Sequence, residues 1–217
     1  MRMSKKKVFV TALALCLVAI LSLGTLAWFN AADEITNRFM IADSDGTGIP
    51  NFTVDVWETD PTDPTVKDQD GLVFEEIAPG DVLDKNPTVE NTGDYDQWIR
   101  VLVTVDEYSK IKAGCINQGI TEDVRTWLNV DATLWTAADA ETVEDGDKIT
   151  YVYYYNNKLA KDATVELFTT VTIPGELEQQ DMGFASGDFS ITVKAEALQA
   201  DNTGDNAKDA FANYWGL

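Results

Sequence analysis

The chain has 217 residues, and 45% of them are hydrophobic, which is enough apolar material for a packed core. Lysine and arginine number 16 against 37 aspartates and glutamates, so the formal net charge is −21. A surface this acidic repels nucleic acid, which we therefore do not expect as a partner. The chain contains no histidine. This excludes a histidine-based hydrolytic triad and removes the usual ligand of catalytic zinc.

The first residues have the pattern of a secretory signal. Arg2 and three lysines at residues 5–7 precede an apolar run at residues 8–23, and small residues follow up to Ala27. This order is typical of a peptide removed on export, and the apolar run is just under the length of a membrane span. We predict a signal peptide at residues 1–27, cleaved between 27 and 32, and a secreted protein with no stable membrane anchor after cleavage. A retained anchor is the alternative.

Period-two alternation of apolar residues, which places one set of side chains on one face of a sheet, recurs along the rest of the chain. It predicts strands at residues 36–42, 51–58, 132–136, 148–155, 164–173 and 189–200, and residues 72–77 lead into the stretch that follows. Residues 59–71 hold two prolines and four aspartates, which indicates a surface loop.

Residues 77–105 form the most strongly patterned stretch. A Pro79-Gly80 turn opens it, and Asn91-Thr92-Gly93 interrupts it with residues that tolerate positive φ. After the interruption apolar residues alternate at Ile99, Val101, Val103 and Val105. We interpret the two halves as a hairpin or tight corner, and as the central pair of an antiparallel sheet.

Three segments have helical spacing instead, at residues 106–114, 121–128 and 204–217. Thr121 has the position of an N-cap for the second of these. Many short strands with Gly, Pro and Asn turns, and without regularly alternating helices, favour an all-β fold. We predict an antiparallel β-sandwich of jelly-roll type with short helical excursions, forming a single domain at residues 28–217.

The cysteines predict no disulfide. Cys16 lies inside the apolar run of the signal, which leaves Cys115 without a partner in the exported chain. We expect a thiol in the core or in a loop rather than a nucleophile, because no histidine is present to activate it.

Two D-x-D-G sequences raise the question of calcium. Carboxylate oxygens at alternating positions suit this ion, but neither segment has the glutamate that an EF-hand needs at its twelfth position. D-x-D-G is also a common turn. The weak calcium candidates are Asp43, Asp45, Asp68 and Asp70.

The aromatic run at residues 151–155 has two interpretations. Exposed tyrosines there would suit a carbohydrate-binding face. Aromatic residues in strands more often pack in the core and across the sheet, and we favour that interpretation.

Several stretches resemble a known family in combination. Residues 24–30 (GTLAWFN) and 33–39 (DEITNRF) resemble the region around the cleavage site in proteins processed by the SipW-type signal peptidase of Gram-positive bacteria. Residues 79–105 (PGDVLDKNPTVENTGDYDQWIRVLVTV), 153–174 (YYYNNKLAKDATVELFTTVTIP) and 191–202 (ITVKAEALQADN) resemble the body of the TasA/camelysin family. The resemblance spans most of the chain.

The resemblance implies a secreted jelly-roll protein of the cell surface or biofilm matrix that assembles into fibres. In that mechanism the N-terminal segment of one subunit completes the sheet of the next, and residues 29–41 are the candidate donor strand. The donor side chains on one parity are Ile35, Asn37, Phe39 and Ile41. The implied partners are further copies of this chain and a SipW-type peptidase.

The alternatives are a secreted metallopeptidase of camelysin type and a monomeric cell-surface binding module. Some camelysins are described as metallopeptidases, but this chain has no HExxH motif and no histidine. We therefore predict a non-enzymatic protein with no cofactor apart from the weak calcium candidates.

Overall fold

The fold is mostly β-structure, with antiparallel sheets and two short helices. The computed structural model describes residues 30–34, 37–38, 53–60, 63–69, 71–72, 74, 77–177 and 189–215. The prediction of antiparallel sheets with short helical excursions is confirmed, whereas the jelly-roll topology stays a prediction.

The described strands and helices follow one another along the chain. The strands are β1 (Asn30–Glu34), β2 (Asn37–Arg38), β3 (Val54–Asp60), β4 (Asp63–Asp68), β5 (Val82–Asp84), β6 (Thr88–Asn91), β7 (Gln97–Asp106), β8 (Trp135–Ala137), β9 (Val143–Asp145), β10 (Lys148–Tyr155), β11 (Thr164–Glu166), β12 (Thr170–Thr172) and β13 (Ile191–Gln199). The helices are α1 (Tyr108–Gln118) and α2 (Ala207–Trp215), with 3-10 turns at Val124–Trp127 and Asp139–Glu141. Neither helix has the length and apolar content to cross a bilayer within the described ranges.

The larger sheet has the order β2-β1-β13-β7-β10-β8, and β9 pairs with the other part of β10. β7 lies in the middle because it pairs with β10 on one side and with β13 on the other. Its alternating residues Ile99, Val101, Val103 and Val105 are fully buried, as their period predicts.

The smaller sheet has the order β11-β6-β3-β4, and β5 and β12 form a separate pair. Val56, Val89 and Val165 are in register across three strands of the smaller sheet. These valines belong to the same hydrophobic cluster as the buried residues of β7. Buried residues of both sheets therefore contribute to one main core.

Helix α2 covers part of the other face of the larger sheet. Phe211 is fully buried there in a second cluster, with Trp98 and Tyr154. Just before this helix, the backbone at Gly204 lies close to the backbone of Ala210. A Cβ added to Gly204 would be only 2.7 Å from the Ala210 nitrogen, so a larger residue does not fit there. The predicted terminal helix is confirmed over residues 207–215.

The prediction that residues 77–91 and 97–105 are sheet neighbours is wrong. β6 pairs with β3 and β11, and β7 pairs with β10 and β13, so the two strands lie in different sheets. The alternative prediction, a tight corner at residues 91–93, is correct. None of these three residues has a positive φ, so backbone conformation of that kind does not produce the corner. The fully buried Asn91 makes the corner: its Nδ2 donates to the carbonyls of Tyr95 and Leu159, and its Oδ1 accepts from the Gly93 N–H.

The predicted loop at residues 59–71 contains a strand. β4 pairs with β3 as a hairpin and forms an edge of the smaller sheet, where a proline is tolerated because one side of the strand has no ladder to complete. Strand β9, which pairs with β10, likewise lies in an acidic stretch, at residues 137–147. The sequence pattern therefore did not predict β4 and β9, because both short strands lie in stretches rich in turn-forming residues.

The strand predicted at residues 164–173 is two strands in different sheets. Leu167 and Phe168 are consecutive and both buried, which a strand with one inward face does not allow. Asn129 holds the bend, since its Oδ1 accepts from the N–H groups of Thr169 and Thr170, each at 2.8 Å. The strand predicted at 132–136 is present only as Trp135–Ala137.

The helical prediction after β7 is confirmed by α1, which runs on to Gln118. The second predicted helix is only the 3-10 turn Val124–Trp127. Its N-cap is Asp123, whose side chain accepts from the Arg125 N–H, and not Thr121, which accepts from the Asp123 N–H one step earlier. The cap prediction was therefore misplaced by two residues.

Candidate assembly edge

The N-terminal strand β1 covers one side of β13. The two strands pair antiparallel, from Asn30 opposite Leu198 to Glu34 opposite Lys194. β1 has 5 residues and β13 has 9, so the pairing covers part of this edge. On its other side β13 pairs with β7 along its whole length.

The covered edge belongs to the core. Ala195, Ala197 and Leu198 of β13 are fully buried within the sheet that β1 completes. A buried strand with an open edge leaves backbone N–H and C=O groups unpaired, and another strand can satisfy them. The β13 edge is therefore a position at which a strand can add.

The structure places the predicted donor residues only in part. Asn37 lies in β2, which turns back and pairs with β1. Ile35, Phe39 and Ile41 lie outside the described residues. The strand that pairs with β13 is β1, which precedes the strand predicted at residues 36–42. Its sequence Asn-Ala-Ala-Asp-Glu has no alternation of large apolar residues, so the period-two pattern did not predict it.

This arrangement allows an exchange of strands between copies. β1 lies within the predicted donor segment 29–41 and is held by antiparallel pairing to β13. The backbone groups that pair these strands are the same in every copy of the chain. A β1 strand from a second copy can therefore make the same ladder on the same edge.

The calcium candidates are not brought together by the described residues. Asp68 is the last residue of β4 and lies opposite Glu58 of β3. Asp43, Asp45 and Asp70 lie outside the described residues. Within the described ranges no three or more acidic or cysteine side chains form a group able to hold a metal ion.

The tyrosines of β10 are packed rather than displayed. Tyr151, Tyr153 and Tyr154 are all 4% exposed or less, which confirms the packing interpretation. Burial raises the pKa of Tyr153 and of Tyr154 to about 12, and Tyr154 also donates to the Glu141 carboxylate.

Cys115 is free and fully buried, as expected, and burial raises its thiol pKa.

These pKa shifts predict alkaline unfolding. The tyrosine pKa is about 10 in an unfolded chain, so the neutral buried phenols stabilise the fold fully below pH 10 and lose that contribution as the pH rises to about 12. We expect tyrosinate absorbance and loss of far-ultraviolet circular dichroism to rise together in this window. Tyr153→Phe should move the midpoint to higher pH, and Tyr95→Phe, at a tyrosine that is 42% exposed, should not. The absorbance difference between the wild type and Tyr153→Phe isolates the Tyr153 phenol, and its ionisation near pH 10 with an intact β-signal would contradict the burial argument.

Two buried ion pairs were not found from the sequence. The fully buried Glu58 accepts a hydrogen bond from the Lys85 ammonium group. In the second pair, the Arg100 Nε donates to the Glu196 carboxylate at 2.9 Å. Charge spacing along the chain gives no sign of either pair, because the partners are 27 and 96 residues apart. A signal exists only for Glu58, which falls on the same parity as the inward Val54 and Val56.

Comparison with known proteins adds no relative. No family model matches the chain, and no curated protein or solved structure is significantly similar to it. The family resemblance therefore stays a prediction.

Proposed function

We propose that this protein is a secreted, non-enzymatic structural subunit that assembles into extracellular filaments by strand exchange. The observation that carries the proposal is the register of β1 on β13, where the N-terminal strand completes the larger sheet. In the filament, β1 of one copy occupies this position on the next copy. Such head-to-tail addition is open-ended and gives filaments rather than closed rings.

The sequence supports the same proposal. Removal of the predicted signal peptide on export would free the segment that contains β1, and residues 79–105, 153–174 and 191–202 resemble the body of the TasA/camelysin family. The proposal includes a jelly-roll-type sandwich for the two sheets, a SipW-type peptidase as the processing partner, and a location in the matrix or at the cell surface.

The proposal predicts the effect of removing the donor segment. Residues 28–217 should form filaments at high concentration, and the same chain without residues 29–41 should stay monomeric, because it has no strand to donate. Negative-stain electron microscopy and sedimentation velocity measure this directly. Filaments from the truncated chain would rule out the donor role.

A peptide added in trans provides the control. A synthetic peptide of residues 29–41 should bind the truncated chain, raise its melting temperature and leave it monomeric, since the edge is filled but no chain is linked. A scrambled peptide of the same composition should do neither. If the two peptides act alike, the β13 edge is not the binding site.

A further inference from the structure

An open groove lies between strands of the smaller sheet and the end of β10 in the larger sheet. The groove has a volume of about 390 Å³ and is lined by residues from both sheets. Two aromatic side chains line it, Trp57 of β3 and Tyr155 of β10, together with Leu134 and Val165. This volume lies within the range of about 300–1,000 Å³ typical of small-molecule sites.

The strand register places an aromatic ring and polar groups in one row. Trp57 is opposite Thr88, and Thr88 is opposite Glu166, across β3, β6 and β11. The neighbouring row of Val56, Val89 and Val165 is buried in the core. Successive side chains of a strand point to opposite faces, so the Trp57 row lies on the other face of the sheet, where Trp57 is half-buried, Thr88 is buried and Glu166 is exposed.

Both rings have defined orientations. The Trp57 Nε1 donates to the Glu90 carboxylate at 3.0 Å, and the Lys67 Nζ lies 4.6 Å from the Trp57 ring centroid. The Tyr155 ring lies 5.2 Å from the ring of the buried Trp135. Rings held in this way bind a ligand without a further loss of side-chain entropy.

Polar groups line the groove beside the rings. Glu166 and Thr164 are exposed. The Glu166 Oε1 accepts a long hydrogen bond of 3.3 Å from Asn86 Nδ2. A carboxylate and a hydroxyl in this position can accept hydrogen bonds from ligand hydroxyl groups.

This combination matches a neutral carbohydrate. A pyranose ring has a C–H face that stacks on an aromatic ring and a rim of hydroxyl groups that donate to carboxylates. An anionic polymer is disfavoured, because the chain carries a net charge of −21 and the cation beside the groove, Lys67, is paired with Glu90. A fully apolar ligand would leave the polar rim unpaired.

We propose that the groove between Trp57 and Tyr155 binds a neutral polysaccharide, with the rings stacking on sugar faces and Glu166 accepting from sugar hydroxyls. The groove lining contains none of the β1 and β13 residues that pair in the proposed strand exchange. The groove thus gives the protein a ligand that filament formation does not require.

Affinity electrophoresis in native gels tests this proposal. The protein migrates well because of its charge, so binding appears as retardation in gels that contain glucomannan, dextran, xylan or galactan. We expect retardation in at least one of these polymers, and none in gels with anionic polygalacturonate. Trp57→Ala should weaken the affinity about tenfold or more, as expected for losing a stacked aromatic ring. The exposed Tyr95→Ala is the matched control and should bind as the wild type does.

A second variant covers the case in which Trp57→Ala fails to fold. Glu166 is exposed, so Glu166→Gln should keep the fold while weakening a hydrogen-bond acceptor, and binding should fall about fivefold or more. No retardation of the wild type in any neutral polymer overturns the proposal, as does equal retardation of the wild type and both groove variants. Retardation only in polygalacturonate also overturns it. If groove variants instead lose self-association, the groove is a protein contact. Filament formation by Trp57→Ala is measured separately from binding. If this variant and the wild type form filaments but neither is retarded by a neutral polymer, the polysaccharide proposal fails while the strand exchange stands.

Discussion

Replacing Lys85 by methionine should lower the free energy of unfolding by about 3–5 kcal/mol, the range for removing one partner of a buried ion pair. The Lys85 side chain is 9% exposed and the Glu58 side chain is fully buried. The substitution keeps most of the side-chain length, so its main effect is to leave the Glu58 carboxylate in the core without its cation. Urea denaturation of the monomer measures the change.

Two further variants identify the cause. Lys161 pairs with Asp94 at a site where both side chains are more than 40% exposed, and Lys161→Met should leave the stability almost unchanged, because exposed ion pairs contribute little. Adding Glu58→Met to Lys85→Met should recover much of the loss, because the unpaired charge is gone. Equal losses from Lys85→Met and Lys161→Met would contradict the burial argument.

Replacing Asn91 by alanine should lower the free energy of unfolding by about 2–4 kcal/mol, since buried groups that lose their partners are costly. The Gly93 N–H and the Tyr95 carbonyl both lose a bond to this side chain, and a small cavity remains in the corner between the two sheets. Thermal and urea denaturation measure the loss.

The neighbouring Thr92 is the control for the corner. Its hydroxyl makes a single hydrogen bond of 2.7 Å to Thr53, and Thr92 is only partly buried. Thr92→Ala should therefore cost about 1 kcal/mol. If Thr92→Ala is as damaging as Asn91→Ala, the corner depends on its backbone and not on the Asn91 side chain.

Local pattern predicted the elements that obey a simple period. β7, β10 and β13 were expected from alternation, and α1 and α2 from helical spacing, although part of each of these three strands is buried on both faces. The pairing of strands was not predicted. Alternation in β6 and β7 is compatible with a hairpin, and only the buried side chain of Asn91 and the distant partners β3, β10 and β13 separate them into two sheets.

The candidate sites were predictable to different degrees. The resemblance directed attention to residues 29–41, but the strand on β13 begins at Asn30, in a segment without apolar alternation. The groove had no local signal, because Trp57 and Tyr155 are 98 residues apart in the chain and meet only through the packing of the sheets. A site whose residues come from separate strands can be recognised only when the order of the strands in the sheets is known.

Disulfide trapping between two different copies tests the strand exchange most directly. Ala31 of β1 lies opposite Ala197 of β13, so one variant of residues 28–217 carries Ala31→Cys and the other Ala197→Cys, both with Cys115 replaced by alanine. The matched control uses Thr104→Cys and Thr150→Cys, whose hydroxyls are 2.9 Å apart on β7 and β10 within one chain.

The two variants are mixed under conditions for assembly, oxidised and run on a non-reducing gel. Strand exchange predicts a covalent dimer from the Ala31→Cys and Ala197→Cys mixture, and no dimer from the mixed control variants. A chain that carries both Ala31→Cys and Ala197→Cys should give a ladder of covalent oligomers. Filaments in which the doubly substituted chain cross-links only within itself would contradict the account, because β1 would then stay on its own sheet.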